Sequence, residues 1–229
     1  MENAEIGTTF DIGTISTPKQ FAQLGVLIVD GSASMKETTA GGITKAQATN
    51  NSIRELFTRF KESRVRSNFT FAVVTFDNNA RVRMQPTECG DALDDNADYD
   101  PLHGHGGGTA IFAALEEGEK LIHQFLQGAP SGGVPHSAVI LVMSDGACSD
   151  PARTRAIADR IKQGPNGQRV KIACALFSTL GSKDPAGETL LKEIASDPVM
   201  SYKTVYSGEA LREFFQASIS AASGGIQIG

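Results

Sequence analysis

Oxygen-bearing side chains stand directly after the first long apolar segment of the chain. The stretch "LIVDGSASMKE", residues 27–37, passes from a buried-strand pattern into Asp30, Ser32 and Ser34. Alternate residues of an extended loop point the same way, so the two serine hydroxyls can reach one ion together. Carboxylate and hydroxyl oxygens are hard donors, which favour Mg²⁺, Mn²⁺ or Ca²⁺ over soft metals. This end of the strand is therefore a candidate cation site.

Two later segments bring further oxygen donors to the ends of secondary-structure elements. Thr109 follows the glycine-rich stretch "GHGGG" at the start of a helical pattern. Asp145 follows the apolar strand pattern "AVILVMS". In open α/β sheets, ligands bind outside the carboxyl ends of the strands, near the point where the strand order reverses. We therefore expect these residues to lie on one rim with the first stretch.

Apolar strand patterns alternate with amphipathic helix patterns along the chain. The predicted strands are 24–29, 69–76, 81–85, 138–144, 170–177 and 201–206, and the predicted helices are 44–61, 109–125, 151–162, 187–196 and 209–222. This alternation is typical of a parallel sheet covered by helices on both faces. The tight turn "DNNA" before the third strand indicates one antiparallel edge.

The combination D-x-S-x-S, then Thr, then Asp resembles the metal-ion-dependent adhesion site of von Willebrand factor type A domains. All five motif positions are present: Asp30, Ser32, Ser34, Thr109 and Asp145. The resemblance covers almost the whole chain and implies a doubly wound, Rossmann-like α/β fold. Its six strands would follow the order 3-2-1-4-5-6, with one antiparallel edge strand. The implied organisation is an N-terminal extension at 1–20, the domain at 21–222 and a flexible tail at 223–229.

The resemblance also implies a role for each site residue. Ser32, Ser34 and Thr109 would bind the ion directly or nearly so, whereas Asp30 and Asp145 would act mostly through hydrogen bonds and bridging water. Such a shell leaves the cation under-neutralised, so an Asp or Glu of a partner protein can complete its octahedron. The expected cofactor is Mg²⁺, with Mn²⁺ or Ca²⁺ as alternatives, and the expected partner is a protein that supplies a carboxylate.

Composition and charge restrict the class of protein. The 229 residues include 21 Lys and Arg against 26 Asp and Glu, which argues against a nucleic-acid-binding surface. The apolar runs are too short to cross a bilayer, and the first residues lack the pattern of a secretory signal. Three widely spaced cysteines suit reduced thiols better than a disulfide framework. We therefore expect a cytoplasmic protein, with Cys148 as the only partly exposed cysteine.

The resemblance favours protein binding without catalysis. The chain resembles prokaryotic stand-alone members of the family, such as tellurite-resistance-associated proteins encoded beside kinases and phosphatases. This implies a bacterial signalling or stress-response adaptor. A partner subunit of an AAA+ ATPase in a chelatase or assembly complex is the alternative within the binding class. A metal-dependent phosphohydrolase is the alternative from a different class.

Other interpretations of the same residues fit less well. The hydroxyls and carboxylates singly suit helix caps and strand ends, but capping alone does not explain the five together. A P-loop lacks the Lys directly before Thr109, and a haloacid-dehalogenase-like nucleophile lacks a second carboxylate at Ser32. The acidic stretch 91–100 lacks the Gly and Glu of an EF-hand, and we expect a solvated loop there. His103 and His105 are expected to be exposed.

Overall fold

The computed structural model describes residues 19–129, 133–179 and 184–224. The strands are β1 (Ala22–Asp30), β2 (Phe69–Phe76), β3 (Ala80–Glu88), β4 (His136–Ser144), β5 (Val170–Phe177) and β6 (Tyr202–Val205). The helices are α1 (Lys45–Glu62), α2 (Ile111–Gln127), α3 (Pro151–Gln163), α4 (Pro185–Ile194) and α5 (Gly208–Ala222). Every predicted strand and helix is therefore present, with ends that differ by a few residues.

The six strands form one sheet in the order β3-β2-β1-β4-β5-β6. All neighbouring strands run parallel except β2 and β3, which are antiparallel. This topology confirms the predicted fold class. Because β1 lies between β2 and β4, the strand order reverses beside it, and the carboxyl ends of these three strands meet at one edge of the sheet. Asp30 is paired with Phe76 in that register.

Each face of the sheet carries its own apolar core. Along β1, Val26 and Ile28 belong to the core under α2, α3 and α4, whereas Leu27 and Val29 belong to the core under α1 and α5. The sequence of a strand that is covered on both faces is a continuous apolar run, without the alternation of apolar and polar residues found in a half-exposed strand. The central strand is consequently rigid up to Asp30, where the polar residues begin.

Aromatic packing fixes α1 on the sheet. The ring centroid of Phe60 lies 4.9 Å from those of both Phe69 and Phe71, in edge-to-face arrangements. The helix begins with a capping box, in which Thr44 and Gln47 exchange side-chain and backbone hydrogen bonds. The aromatic contacts hold the last turn of α1 on the sheet, whereas the Lys45 N–H donates to the Glu37 oxygen at 2.9 Å and so ties the first turn to the segment that follows β1.

The start of α2 differs from the prediction. The predicted helix began at Thr109, but α2 begins at Ile111, and the Ala110 N–H donates to the backbone oxygen of Asp77 at 2.7 Å. That bond ties the loop to the end of β2, so Thr109 lies in the loop before the helix. Residues 1–18 and 225–229, which include most of the predicted extension and tail, lie outside the described residues. Within the described ranges, no helix is long and apolar enough to cross a membrane.

Candidate metal centre

A buried carboxylate organises the turn at the end of β1. Asp30 is fully buried, and its Oδ1 accepts a hydrogen bond from the Ser32 N–H at 2.7 Å. Its Oδ2 accepts a second bond from the Ser144 hydroxyl of β4 at 2.6 Å. Since both oxygens are engaged, the carboxylate is placed to orient the loop rather than to bind an ion directly. Ser144 was not identified from the sequence.

Two serine hydroxyls and one carboxylate oxygen converge next to this turn. The Ser32 and Ser34 hydroxyl oxygens lie 3.0 Å apart. The Ser34 hydroxyl donates to Asp145 Oδ1 at 2.7 Å, and the Ser32 hydroxyl lies 3.5 Å from the same atom. Ser32 is buried, whereas Ser34 is partly exposed, so the cluster reaches the surface on the Ser34 side. The structure thus brings four of the five predicted site residues together through hydrogen bonds.

Thr109 approaches the cluster through its loop. The Ala33 N–H donates to the Gly107 oxygen at 3.0 Å. This bond joins the loop that carries Ser32 and Ser34, the serine loop, to the glycine-rich loop at 104–108. The Thr109 oxygen accepts from the Ser149 N–H at 2.9 Å, in the segment that follows Asp145. Within the described ranges, no hydrogen bond joins the Thr109 hydroxyl to the other four site residues. Its loop therefore lies between the two segments that carry them.

A buried histidine helps to hold the glycine-rich loop. His105 Nε2 lies 2.9 Å from the Thr75 hydroxyl, and His105 Nδ1 lies 3.0 Å from Asp77 Oδ1. Asp77 Oδ2 also accepts from the Gly107 N–H at 3.1 Å. Although burial acts in the opposite direction, His105 and the neighbouring N–H groups lower the pKa of Asp77. The expectation that His105 is exposed was wrong, because its side chain is 1% exposed.

The other exposure expectations have mixed outcomes. His103 is exposed, as expected, and lies against Asp98. Cys148 was expected to be partly exposed, but it is buried, with its sulfur 3.2 Å from the Thr154 hydroxyl. The acidic loop at 91–100 is not simply solvated, because the Tyr99 ring packs into the core under α1. In the acidic loop, the buried Leu93 and Tyr99 were overlooked as apolar anchors.

The structure adds one charged residue that sequence reasoning missed. The Lys45 ammonium lies 2.9 Å from Asp145 Oδ2 and 2.7 Å from Glu37 Oε2. Burial opposes the charge, but the bonds to the two carboxylates raise the pKa of Lys45. A signal was present, since Lys45 precedes the buried Thr49 by one helical turn and Ile53 by two. A lysine on the buried face of a helix needs a carboxylate partner.

The donor set fits a hard divalent cation. Burial, assisted by the negative charge of Asp145, raises the pKa of Asp30 to about 6, although hydrogen bonds from Ser144 and Ser32 oppose the shift. A cation beside these two carboxylates would relieve that cost. No group of three or more His, Cys, Asp or Glu side chains in the described residues is placed to hold a metal. An ion at this rim would therefore depend on hydroxyl oxygens, which are hard donors.

Comparison with known proteins places the chain in a family. A model described as "von Willebrand factor type A domain" matches residues 26–147, just over half of the chain, and the match spans all five predicted site residues. No curated protein matches the sequence.

Solved structures share the fold at low sequence identity. The chain is similar to the pilus adhesin SpaC from Lactobacillus rhamnosus GG (TM-score 0.68, 13% identity, 88% of this chain and 30% of that one). It is also similar to proximal thread matrix protein 1 from the mussel byssus (0.59, 18%, 88% and 46%). A third neighbour is the vWF domain of the type V pili tip protein Mfa5 from Porphyromonas gingivalis (0.65, 13%, 92% and 98%). The chain thus spans less than half the length of the first two, and identities this low establish the fold alone.

Substitution of Gly31 tests whether the serine loop packs against the segment 101–105. A Cβ at Gly31 would lie 2.2 Å from the Pro101 oxygen and 2.9 Å from His105 Cβ. We expect Gly31→Ala to lower the free energy of unfolding by about 1–3 kcal/mol, as overpacking does. Chemical denaturation measures the change.

The control is Gly90→Ala, since a Cβ at Gly90 meets no atom within 4 Å. It should change the free energy of unfolding by less than about 0.5 kcal/mol. Equal stability of Gly31→Ala and the parent chain would contradict the loop packing.

Proposed function

Since the chain belongs to the von Willebrand factor type A domain family, we propose that it is a divalent-metal-dependent module that binds a carboxylate of a partner protein. Domains of this family are protein-interaction modules. The observation that carries the proposal is the convergence of the Ser32 and Ser34 hydroxyls on Asp145 Oδ1 at the carboxyl end of β1. Strand ends at this position in an α/β sheet are where ligands bind.

Each site residue has a distinct part in the proposal. The hydroxyls of Ser32, Ser34 and Thr109 would hold the ion, which is Mg²⁺ or, alternatively, Mn²⁺ or Ca²⁺. Asp30 would hold the loop in place through the Ser32 N–H and the Ser144 hydroxyl. Asp145 would orient the serine hydroxyls and balance charge. When bound, the ion would supply a strong positive centre at the protein surface.

A hydroxyl-rich shell explains why the partner group would be a carboxylate. Hydroxyl oxygens are neutral, so they reduce the charge of a divalent cation little. The exposed side of the cluster, at Ser34, would then favour an anionic oxygen from outside. An Asp or Glu side chain is the protein group that provides one, and partial exclusion of water strengthens such a bond.

We place this module inside a bacterial cell as a signalling or stress-response adaptor, similar to tellurite-resistance-associated proteins. The three cysteines support an intracellular setting, since all are free and buried. The alternative binding role is that of a partner subunit for an AAA+ ATPase in a chelatase or assembly complex. Kinases, phosphatases and such ATPases are therefore the candidate partners.

Metal titration tests the site. Isothermal titration calorimetry should show one equivalent of Mg²⁺ or Mn²⁺ binding to the parent chain. Ser34→Ala removes one proposed ligand and should raise the dissociation constant at least tenfold. This corresponds to a loss of about 1.4 kcal/mol of binding free energy. The matched control is Ser218→Ala, a partly exposed serine of α5 whose hydroxyl donates to the Phe214 oxygen. Equal affinity of Ser34→Ala and the parent chain would exclude the proposed ligand set.

Affinity capture tests the metal dependence of partner binding. Immobilised protein should retain a partner from a lysate of the source organism in Mg²⁺ but not in EDTA. Thr109→Ala should lose that partner in Mg²⁺, because a proposed ligand is missing. Thr189→Ala, on the exposed surface of α4, should keep it. Retention of the same partner under all conditions, identified by mass spectrometry, would move recognition away from the metal.

A phosphohydrolase that uses the same ion is the alternative from the enzyme class. The candidate groups beside the cluster are Asp30, whose oxygens are both engaged, and Asp145, which is shared by Ser34 and Lys45. We therefore expect no metal-stimulated hydrolysis of an aryl phosphate such as p-nitrophenyl phosphate. Hydrolysis that Mg²⁺ stimulates and that Asp145→Ala abolishes would overturn the binding-only function.

A further inference from the structure

We propose that Lys45 is a built-in counter-ion of the metal site, which weakens its hold on the cation and makes an outside carboxylate necessary for charge balance. This inference rests on the proposed function and adds a residue that sets the affinity of the site. Lys45 belongs to none of the three segments that carry the motif residues. Its place in the site is visible only in the folded chain.

The geometry makes Asp145 a carboxylate shared between two groups. Its Oδ1 accepts from the Ser34 hydroxyl, and its Oδ2 lies 2.9 Å from the Lys45 ammonium. The Lys45 side chain is 4% exposed and that of Asp145 is 0% exposed. The Ser34 hydroxyl, a proposed ligand of the ion, and the Lys45 ammonium therefore contact different oxygens of the Asp145 carboxylate. A cation held by the hydroxyls would share the negative charge of that carboxylate with Lys45.

The position of this lysine is costly, which argues against a purely structural role. Lys45 is the first residue of α1, where the helix dipole disfavours a positive charge. Burial of an ammonium adds a desolvation penalty, and a buried ion pair often stabilises no more than apolar side chains would. In the other lysine ion pairs of the described ranges, the lysine side chain is at least 23% exposed. Lys45 thus differs from them in being enclosed at the site.

Charge counting gives the consequence. Asp30, Asp145 and Lys45 together carry one net negative charge in the buried part of the site, while Glu37 is mostly exposed and screened by solvent. A divalent cation changes that balance to one net positive charge. One carboxylate from a partner then restores neutrality. Without Lys45, the cation alone would neutralise the two aspartates, so the metal would bind more tightly and the partner carboxylate would be less favoured.

Calorimetry with Mn²⁺ alone tests the inference. Lys45→Met removes the charge and keeps much of the side-chain volume, and we expect it to bind Mn²⁺ at least tenfold more tightly than the parent chain. Lys61→Met is the matched control, because Lys61 lies on the same helix and pairs with Asp95 away from the site. It should leave the Mn²⁺ affinity within about twofold of the parent value.

Thermal unfolding separates the proposed role from a structural one. Lys45→Met should unfold at a lower temperature than the parent chain in EDTA, because Asp145 has lost its cation, and Mn²⁺ should recover most of that loss. A merely structural lysine would give a loss that Mn²⁺ does not recover. If Lys45→Met does not fold without metal, Lys45→Gln provides the second test. Its amide can still donate a hydrogen bond to Asp145 but carries no charge, so Mn²⁺ binding should again tighten relative to the parent chain.

Three outcomes are distinguishable. Tighter Mn²⁺ binding by Lys45→Met with unchanged binding by Lys61→Met supports the inference. Unchanged or weaker binding by a folded Lys45→Met, or by Lys45→Gln where the first variant does not fold, overturns the inference and leaves the proposed function in place. Absence of Mn²⁺ binding by the parent chain overturns both.

Discussion

The hydrogen bond from the Ser144 hydroxyl to Asp30 joins the carboxyl ends of β1 and β4, and the arrangement of the rim depends on it. Asp30 is fully buried, and an ionised carboxylate without partners is expensive in such a place. The bonds from Ser144 and from the Ser32 N–H satisfy both of its oxygens. The same bonds turn the chain at Gly31 and bring the serine hydroxyls beside Asp145.

The central position of β1 makes this constraint effective. Its apolar side chains fill both cores, so the strand cannot shift without disrupting either face of the sheet. The glycine-rich loop is tied to the same edge through Asp77 and His105 at the end of β2. A rigid strand with three neighbouring loops bonded to one another is a scaffold on which binding residues are placed accurately. Its solved neighbours include pilus and byssus proteins, which illustrates how one fold serves different whole proteins.

Local pattern was sufficient to predict the elements, because each strand and helix carries its own periodicity. The five motif residues were identifiable since each stands at the end of an apolar run or a glycine-rich stretch. The contacts between residues that lie far apart in the sequence could not be identified in this way. Lys45 and Asp145 are separated by 100 residues, and Asp30 and Ser144 by 114. The buried His105 and the late start of α2 escaped prediction for the same reason, since both depend on contacts with the end of β2.

If the serine hydroxyls hold a divalent cation, a crystal structure determined in Mn²⁺ should show the ion beside them. Anomalous diffraction locates Mn²⁺ without reference to the surrounding atoms. We expect one anomalous peak at this rim, about 2 Å from the hydroxyl oxygens of Ser32 and Ser34. A folded protein with no peak there, and with the Ser34 hydroxyl still bonded to Asp145 at saturating Mn²⁺, would show that these hydroxyls do not bind the ion.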